Sequence, residues 1–269
     1  MKHIVVNGLR LEYRDIAPTK MECPVLMLLH EGLGCVAMWR HFPEQLAAAT
    51  GCRVIAWSRA GYGDSEPYPD VRTPRYMHRE ALEALPALIA AMCIDRPLLV
   101  GHSDGASIAL IFAGTFPEQV CGVVAMAPHE FVEEETLAGI LAAKTMWTAT
   151  DWPHKLARYH RDASRVFSDW NDTWLSTAFR DWNIESYLPQ IRCPVLALQG
   201  VDDEYASMRQ IEVIAEQVSD TVLLKLPACG HSPQRDQESA VLEAVAAFAS
   251  RLTLFPYTTL FRSEERRVG

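Results

Sequence analysis

Short apolar runs alternate along this chain with longer stretches of helical periodicity, and that alternation restricts the fold more than any other feature. Residues 24–30 (PVLMLLH), 53–57 (RVIAW), 97–101 (PLLVG), 120–126, 194–199 and 222–226 read as strands. Most are apolar throughout rather than at every second position, as expected for strands covered on both faces. Between them, residues 36–49, 75–91, 103–116, 205–218 and 236–251 carry helical patterns. Strand, helix, strand repeated in this way gives a parallel sheet with crossover helices. The first two segments, 3–6 and 10–15, instead alternate polar and apolar around Asn7-Gly8. That dipeptide is a hairpin turn signal, so they are expected to pair antiparallel at one edge. The predicted class is therefore α/β, a mostly parallel eight-stranded sheet flanked by helices.

Residues 129–187 interrupt the pattern with helical sequence and no strand-like run. They are predicted to form a helical cap insertion between two parts of one core domain, 1–128 and 188–251. Trp147, Trp152, Trp170, Trp174 and Trp182, five of the chain's seven tryptophans, fall here. Such density predicts that some line a pocket for an apolar or aromatic group, with Trp147 as one candidate. The last 18 residues, 252–269 (LTLFPYTTLFRSEERRVG), do not continue the preceding amphipathic pattern. They resemble a translated sequencing adapter at the end of a metagenomic fragment and are read as a non-native tail.

Composition narrows the partners. A formal net charge of −9 disfavours nucleic acid, whose binding needs clustered Lys and Arg. The seven cysteines show no CxxC or Cys/His ligand spacing, so no metal or disulfide framework is expected and the thiols read as reduced. No apolar run reaches the length of a membrane span, and the N-terminus lacks a signal-peptide pattern. A cytoplasmic protein acting on a small molecule, with no membrane partner and no cofactor, is the expectation.

The chemistry is carried by Gly101-His102-Ser103-Asp104-Gly105, placed between a predicted strand and a predicted helix. A sharp strand-to-helix turn holds the serine in strained geometry and needs small neighbours for the chain to pass. The helix that follows aims its first amides at charge developing on a substrate, which nominates the N–H of Asp104. A serine hydroxyl needs a base, and the base an orienting acid. His231 lies just past the last predicted strand. Asp202 and Asp203 both lie past the strand before it.

In this order, Ser then Asp then His, the chain resembles the α/β-hydrolases from Lys2 to about Arg251. The resemblance implies an acid three residues beyond the glycine that ends its strand. That residue is Asp203, counted from Gly200, and Asp202 becomes a turn residue. It also implies an oxyanion loop at His30-Glu31-Gly32-Leu33-Gly34, with Gly32 as second donor and Leu33 left open by the register. Here the sequence departs from the family, since Glu31 stands where a glycine is usual. A carboxylate beside a developing anion is unhelpful, so Glu31 is predicted to turn away into a hydrogen-bond network. The run 58–65 (SRAGYGDS) resembles a family loop and is given a scaffold role. Leu33 and His129 are expected at the substrate pocket; His102 is given no catalytic role. Epoxide hydrolases and haloalkane dehalogenases of this fold carry Asp at the turn, so Ser103 counts against both.

The resemblance thus implies a serine esterase for small, apolar or aromatic carboxylic esters, working through an acyl-enzyme. Two alternatives stay open: a C–C bond hydrolase of meta-cleavage products using the same triad, and a non-catalytic ligand-binding protein.

Overall fold

The computed structural model describes residues 1–20 and 22–254, so most of the predicted tail lies outside the described residues. Its strands are β1 (Lys2–Val6), β2 (Leu9–Ile16), β3 (Leu26–Leu29), β4 (Val54–Trp57), β5 (Leu98–His102), β6 (Gly122–Met126), β7 (Val195–Gly200) and β8 (Thr221–Leu226). They form one sheet in the order β1-β2-β4-β3-β5-β6-β7-β8. From β4 through β8 all neighbours run parallel, while β1 and β2 are antiparallel to each other and β2 to β4. The β1–β2 turn has positive φ at both Asn7 (51°) and Gly8 (81°), the backbone that an Asn-Gly hairpin requires.

The apolar strands are buried on both faces because alternate side chains enter two separate cores. Leu26, Leu28, Val54, Val100, Val124 and Leu198 join one core; Met27, Leu29, Ile55, Leu99, Val123 and Ala197 join the other. β8 is the exception at the sheet edge, with Val222 and Leu223 exposed.

The helices are α1 (Phe42–Thr50), α2 (Tyr76–Arg79), α3 (Leu85–Ala91), α4 (Asp104–Thr115), α5 (Glu134–Ala149), α6 (Trp152–Leu156), α7 (Ala163–Leu175), α8 (Arg209–Gln217), α9 (Pro233–Asp236) and α10 (Glu238–Leu254). Helices α1 and α10 cover the first core, and α3, α4 and α8 the second. Every residue of α4 from Asp104 to Gly114 is buried, as for a helix with no solvent face.

Several predicted helices are broken. The 36–49 stretch is a 3₁₀ turn (Val36–Trp39), then Arg40 at φ 52°, then α1. Pro43 explains the restart, since proline is suited to a helix's first turn and not its interior. The 75–91 stretch contains a π-helical segment (Glu80–Ala84) between α2 and α3. The 205–218 stretch becomes helical only at Arg209, leaving Tyr205 in the turn beside the site described below. Helix α10 runs three residues past the predicted end at Arg251.

Between β6 and β7 lie α5, α6 and α7, which pack on one another, and an isolated bridge from Phe131 to Asn183. Val166, Phe167, Trp170 and Trp174 of α7 point inward and belong to the same apolar cluster as the sheet.

Candidate active site

Ser103 sits between β5 and α4 at φ 52°, ψ −119°, a conformation that costs a non-glycine residue free energy. The glycines on either side are required by close approach. A Cβ at Gly101 would strike the backbone of Gly105, and one at Gly105 would strike the backbone of Leu29. The crossing of turn, helix and β3 is thus possible only with glycine at both places. Asp104 opens α4, so its N–H is a first-turn donor without an intrahelical acceptor.

The Ser103 hydroxyl lies 2.9 Å from His231 Nε2, and His231 Nδ1–H reaches both carboxylate oxygens of Asp203, at 2.9 and 3.0 Å. The Asp203 side chain is fully buried and also accepts the Tyr205 N–H at 2.9 Å. Asp202 is exposed in the turn. The structure therefore brings Ser103, His231 and Asp203 into one line and leaves Asp202 out. Burial alone would raise the Asp203 carboxyl, but the His231 hydrogen bond and charge hold it below the usual range. Burial alone would lower His231; its bond to Asp203, and the carboxylates of Asp203, Glu204 and Glu31, leave it raised.

The Glu31 carboxylate meets His102 and Gly34. Its Oε2 lies 3.6 Å from His102 Nδ1, and it packs so closely on Gly34 that a Cβ there would collide with it. Burial opposes its charge, yet His102, Arg235 and His30 hold it well below the ordinary glutamate range. His102, in turn, donates its Nε2–H to the backbone carbonyl of His231 at 2.6 Å.

Three supports went unread in the sequence. Arg59, assigned only a scaffold loop, is 2% exposed and donates to the carbonyls of His30 (2.7 Å) and Glu31 (2.9 Å), which fixes the loop that precedes Gly32. It also lies 3.7 Å from Asp104. Tyr76 donates to Asp104 Oδ2 at 2.7 Å and accepts from Trp174 Nε1 at 3.1 Å, joining α7 to the Ser103 turn. His160 accepts the Gly63 N–H and donates to the Leu33 carbonyl, both at 2.9 Å. All three join segments far apart in sequence, and nothing local signals them.

A cavity of about 230 Å³ opens above Ser103 and His231, bordered by Gly32, Leu33 and His129. Trp152, Trp170 and Trp174 form its indole wall. Trp170 packs so tightly on Gly32 that a Cβ there would enter its ring. Trp147 does not reach the cavity. It stacks flat on Phe167, with centroids 4.0 Å apart, and Trp152 fills the position expected of it. A larger cavity of about 390 Å³, lined by Arg59, Tyr62, Arg72 and Glu80 among others, holds none of the three aligned residues. Among the described residues no cluster of His, Cys, Asp and Glu is arranged to hold a metal ion, and no helix is long and apolar enough to cross a membrane.

Comparison with known proteins agrees with this architecture. Residues 24–182 match the model of a family described as alpha/beta hydrolase fold. The serine hydrolase BPHL of Mus musculus is 27% identical over 242 residues, covering 85% of this chain and 79% of that protein. Epoxide hydrolase B of Mycobacterium tuberculosis is 30% identical over 127 residues, 46% of this chain and 35% of that one. The crystal structure of the enol-lactonase from Burkholderia xenovorans LB400 superposes with a TM-score of 0.73 over 93% of this chain and 100% of the other, at 19% identity, a likeness of fold.

Proposed function

The chain belongs to the α/β-hydrolase fold family, and from that premise we propose that it is a serine hydrolase cleaving small carboxylic esters through an acyl-enzyme. The observation that carries this reading is the unbroken hydrogen-bond line from Ser103 through His231 to Asp203. Ser103 Oγ attacks the carbonyl carbon as its proton passes to His231 Nε2. The resulting oxyanion is received by the N–H groups of Asp104 and Gly32. Collapse expels the alcohol, which takes the proton from His231. Water then gives a proton to His231 and attacks the acyl carbon, and Ser103 leaves with that proton restored. Asp203 keeps the imidazole in the tautomer with Nδ1 protonated and stabilises the imidazolium. Helices α5 to α7 act as a cap, since Thr136 and Ile140 of α5, Trp152 of α6, and Trp170 and Trp174 of α7 line the cavity above Ser103.

Ser103 also counts against epoxide hydrolysis, which in this fold uses a carboxylate at the same turn. The test is a fluorophosphonate probe together with p-nitrophenyl acetate. Covalent labelling at Ser103 and ester turnover, both abolished in Ser103→Ala, are expected. A folded protein with neither labelling nor turnover would overturn the reading in favour of a binding protein.

A further inference from the structure

Two residues that line the cavity above Ser103 each carry a buried polar atom that no other group of the protein satisfies. His129 is 3% exposed, and its backbone is pinned on both sides to the Ser107 hydroxyl of α4, which donates to its carbonyl (2.7 Å) and accepts its N–H (3.1 Å). Its ring is wedged between Trp174 and His231, with centroids 5.1 and 5.7 Å away. His129 Nε2 lies 3.3 Å from the Tyr205 carbonyl, an acceptor, so this nitrogen carries the hydrogen. Burial, aided by the neighbouring His231 charge, pushes the ring's pKa down to about 4 and keeps it neutral. Nδ1 is then a bare lone pair, buried and without a partner.

The second atom is Thr136 Oγ1, in the first turn of α5, in a residue that is fully buried. Helical threonines elsewhere in this chain return their hydroxyl to the carbonyl four residues back, as Thr115, Thr145 and Thr173 do. Thr136 makes no such bond and has no other partner. Both residues line the same cavity as Ser103. Buried polar groups are rarely left unpaired, and a lone-pair acceptor in an apolar pocket is satisfied only by something that brings a hydrogen.

We propose that the substrate carries a hydroxyl, a hydrogen-bond donor that His129 Nδ1 accepts, with the Thr136 hydroxyl as its second partner. The inference rests on the serine-hydrolase reading and replaces a purely apolar substrate with a hydroxy-ester. Selection follows from the same pairing. A site built to bind a donor discriminates against the analogue without it, because the protein's own atoms are then stranded.

The experiment compares matched esters on one enzyme preparation: methyl butyrate with methyl 2- and 3-hydroxybutyrate, and propyl butyrate with 2-hydroxyethyl butyrate. The ratio of kcat/KM within each pair is independent of the active fraction, so a partly folded variant still gives a valid reading. At least one hydroxylated ester should exceed its parent by about tenfold or more. That ratio should fall towards one in His129→Leu and, separately, in Thr136→Val. Equal rates in the wild type, or a preference that survives both substitutions, would overturn the proposal while leaving the serine-hydrolase reading intact. Fluorophosphonate labelling without turnover of any ester would likewise reject this substrate class. Absence of both labelling and turnover would remove the underlying reading, and the proposal with it.

Discussion

The Nε2–H of His102 holds the backbone carbonyl of His231 at 2.6 Å, so the histidine facing Ser103 is fixed through its main chain as well as its ring. His102 touches no reacting atom and acts by position. Replacing it with Ala should lower kcat by roughly 10- to 100-fold, the scale of a small misplacement of a catalytic group. Gln, which retains a donor, should restore part of the loss. Active-site titration with a fluorophosphonate separates lower kcat from a lower folded fraction.

The two adjacent aspartates should behave very differently. Asp203→Asn removes the charge and the correct tautomer of His231 and is expected to cost roughly 1,000- to 10,000-fold in kcat. Asp202→Asn changes an exposed turn and should leave kcat within about twofold. Steady-state kinetics on p-nitrophenyl acetate decides between them, and a larger loss at Asp202 would reverse the assignment.

The pH profile follows from the carboxylates around His231. Its pKa is raised, and the general base must be neutral to accept the Ser103 proton. The acid limb of kcat/KM should therefore lie above the ordinary histidine value of about 6.5. Glu204→Gln keeps an acceptor for the His231 N–H but removes a negative charge, so the limb should move to lower pH. A limb that stays in place or rises would contradict the electrostatic assignment.

Arg59 should be irreplaceable for a different reason. Arg59→Met strips two carbonyls of their donor and removes one of the two buried arginines whose charge acts on Asp104, at a cost of about 3–5 kcal/mol. Lys is expected to rescue little, because a point charge on a flexible stem does not reproduce the guanidinium fork. Urea unfolding of the two variants measures both effects.

Stability should fall on acidification from neutral pH, and histidines account for the sign. Burial lowers His30, His129 and His160, so the unfolded chain takes up protons near pH 6.5 while the folded one does not. Their contribution is present above that pH and is lost as pH falls. His231, raised in the fold, works in the opposite direction, and its contribution is lost as pH rises. Protonated His160 would forfeit the bond from Gly63. His160→Gln should therefore be less stable at pH 8 yet show a shallower decline between pH 6.5 and 5, as read by thermal melts across that range.

The strands and the serine turn were legible in the sequence because their causes are local. Apolar runs mark the buried strands, Asn7-Gly8 supplies two positive φ angles, and Gly101 and Gly105 are demanded by backbone contact. Glu31 was expected in a hydrogen-bond network turned from the oxyanion; it lies 3.6 Å from His102 and still borders the cavity that holds Ser103, a meeting of segments about 70 residues apart. What stayed hidden depends on which distant segments meet. Arg59 serves a loop 29 residues earlier, and His160 joins two loops of the core. Trp147 and Trp152 are equally plausible in sequence, and the stacking of Trp147 on Phe167 decides between them. Likewise the helical periodicity over 36–49 ran through Arg40 and His41, where the backbone turns out of the helix before restarting near Pro43.

The hydrogen bonds from Trp174 to Tyr76 and from Tyr76 to Asp104 make α7 and the Ser103 turn a single mechanical unit. Recombination between relatives would have to respect that unit. A chimera that exchanges α5 to α7 but not Tyr76 and Asp104 would sever it at its middle, so the natural module for transplanting specificity in this chain is discontinuous in sequence.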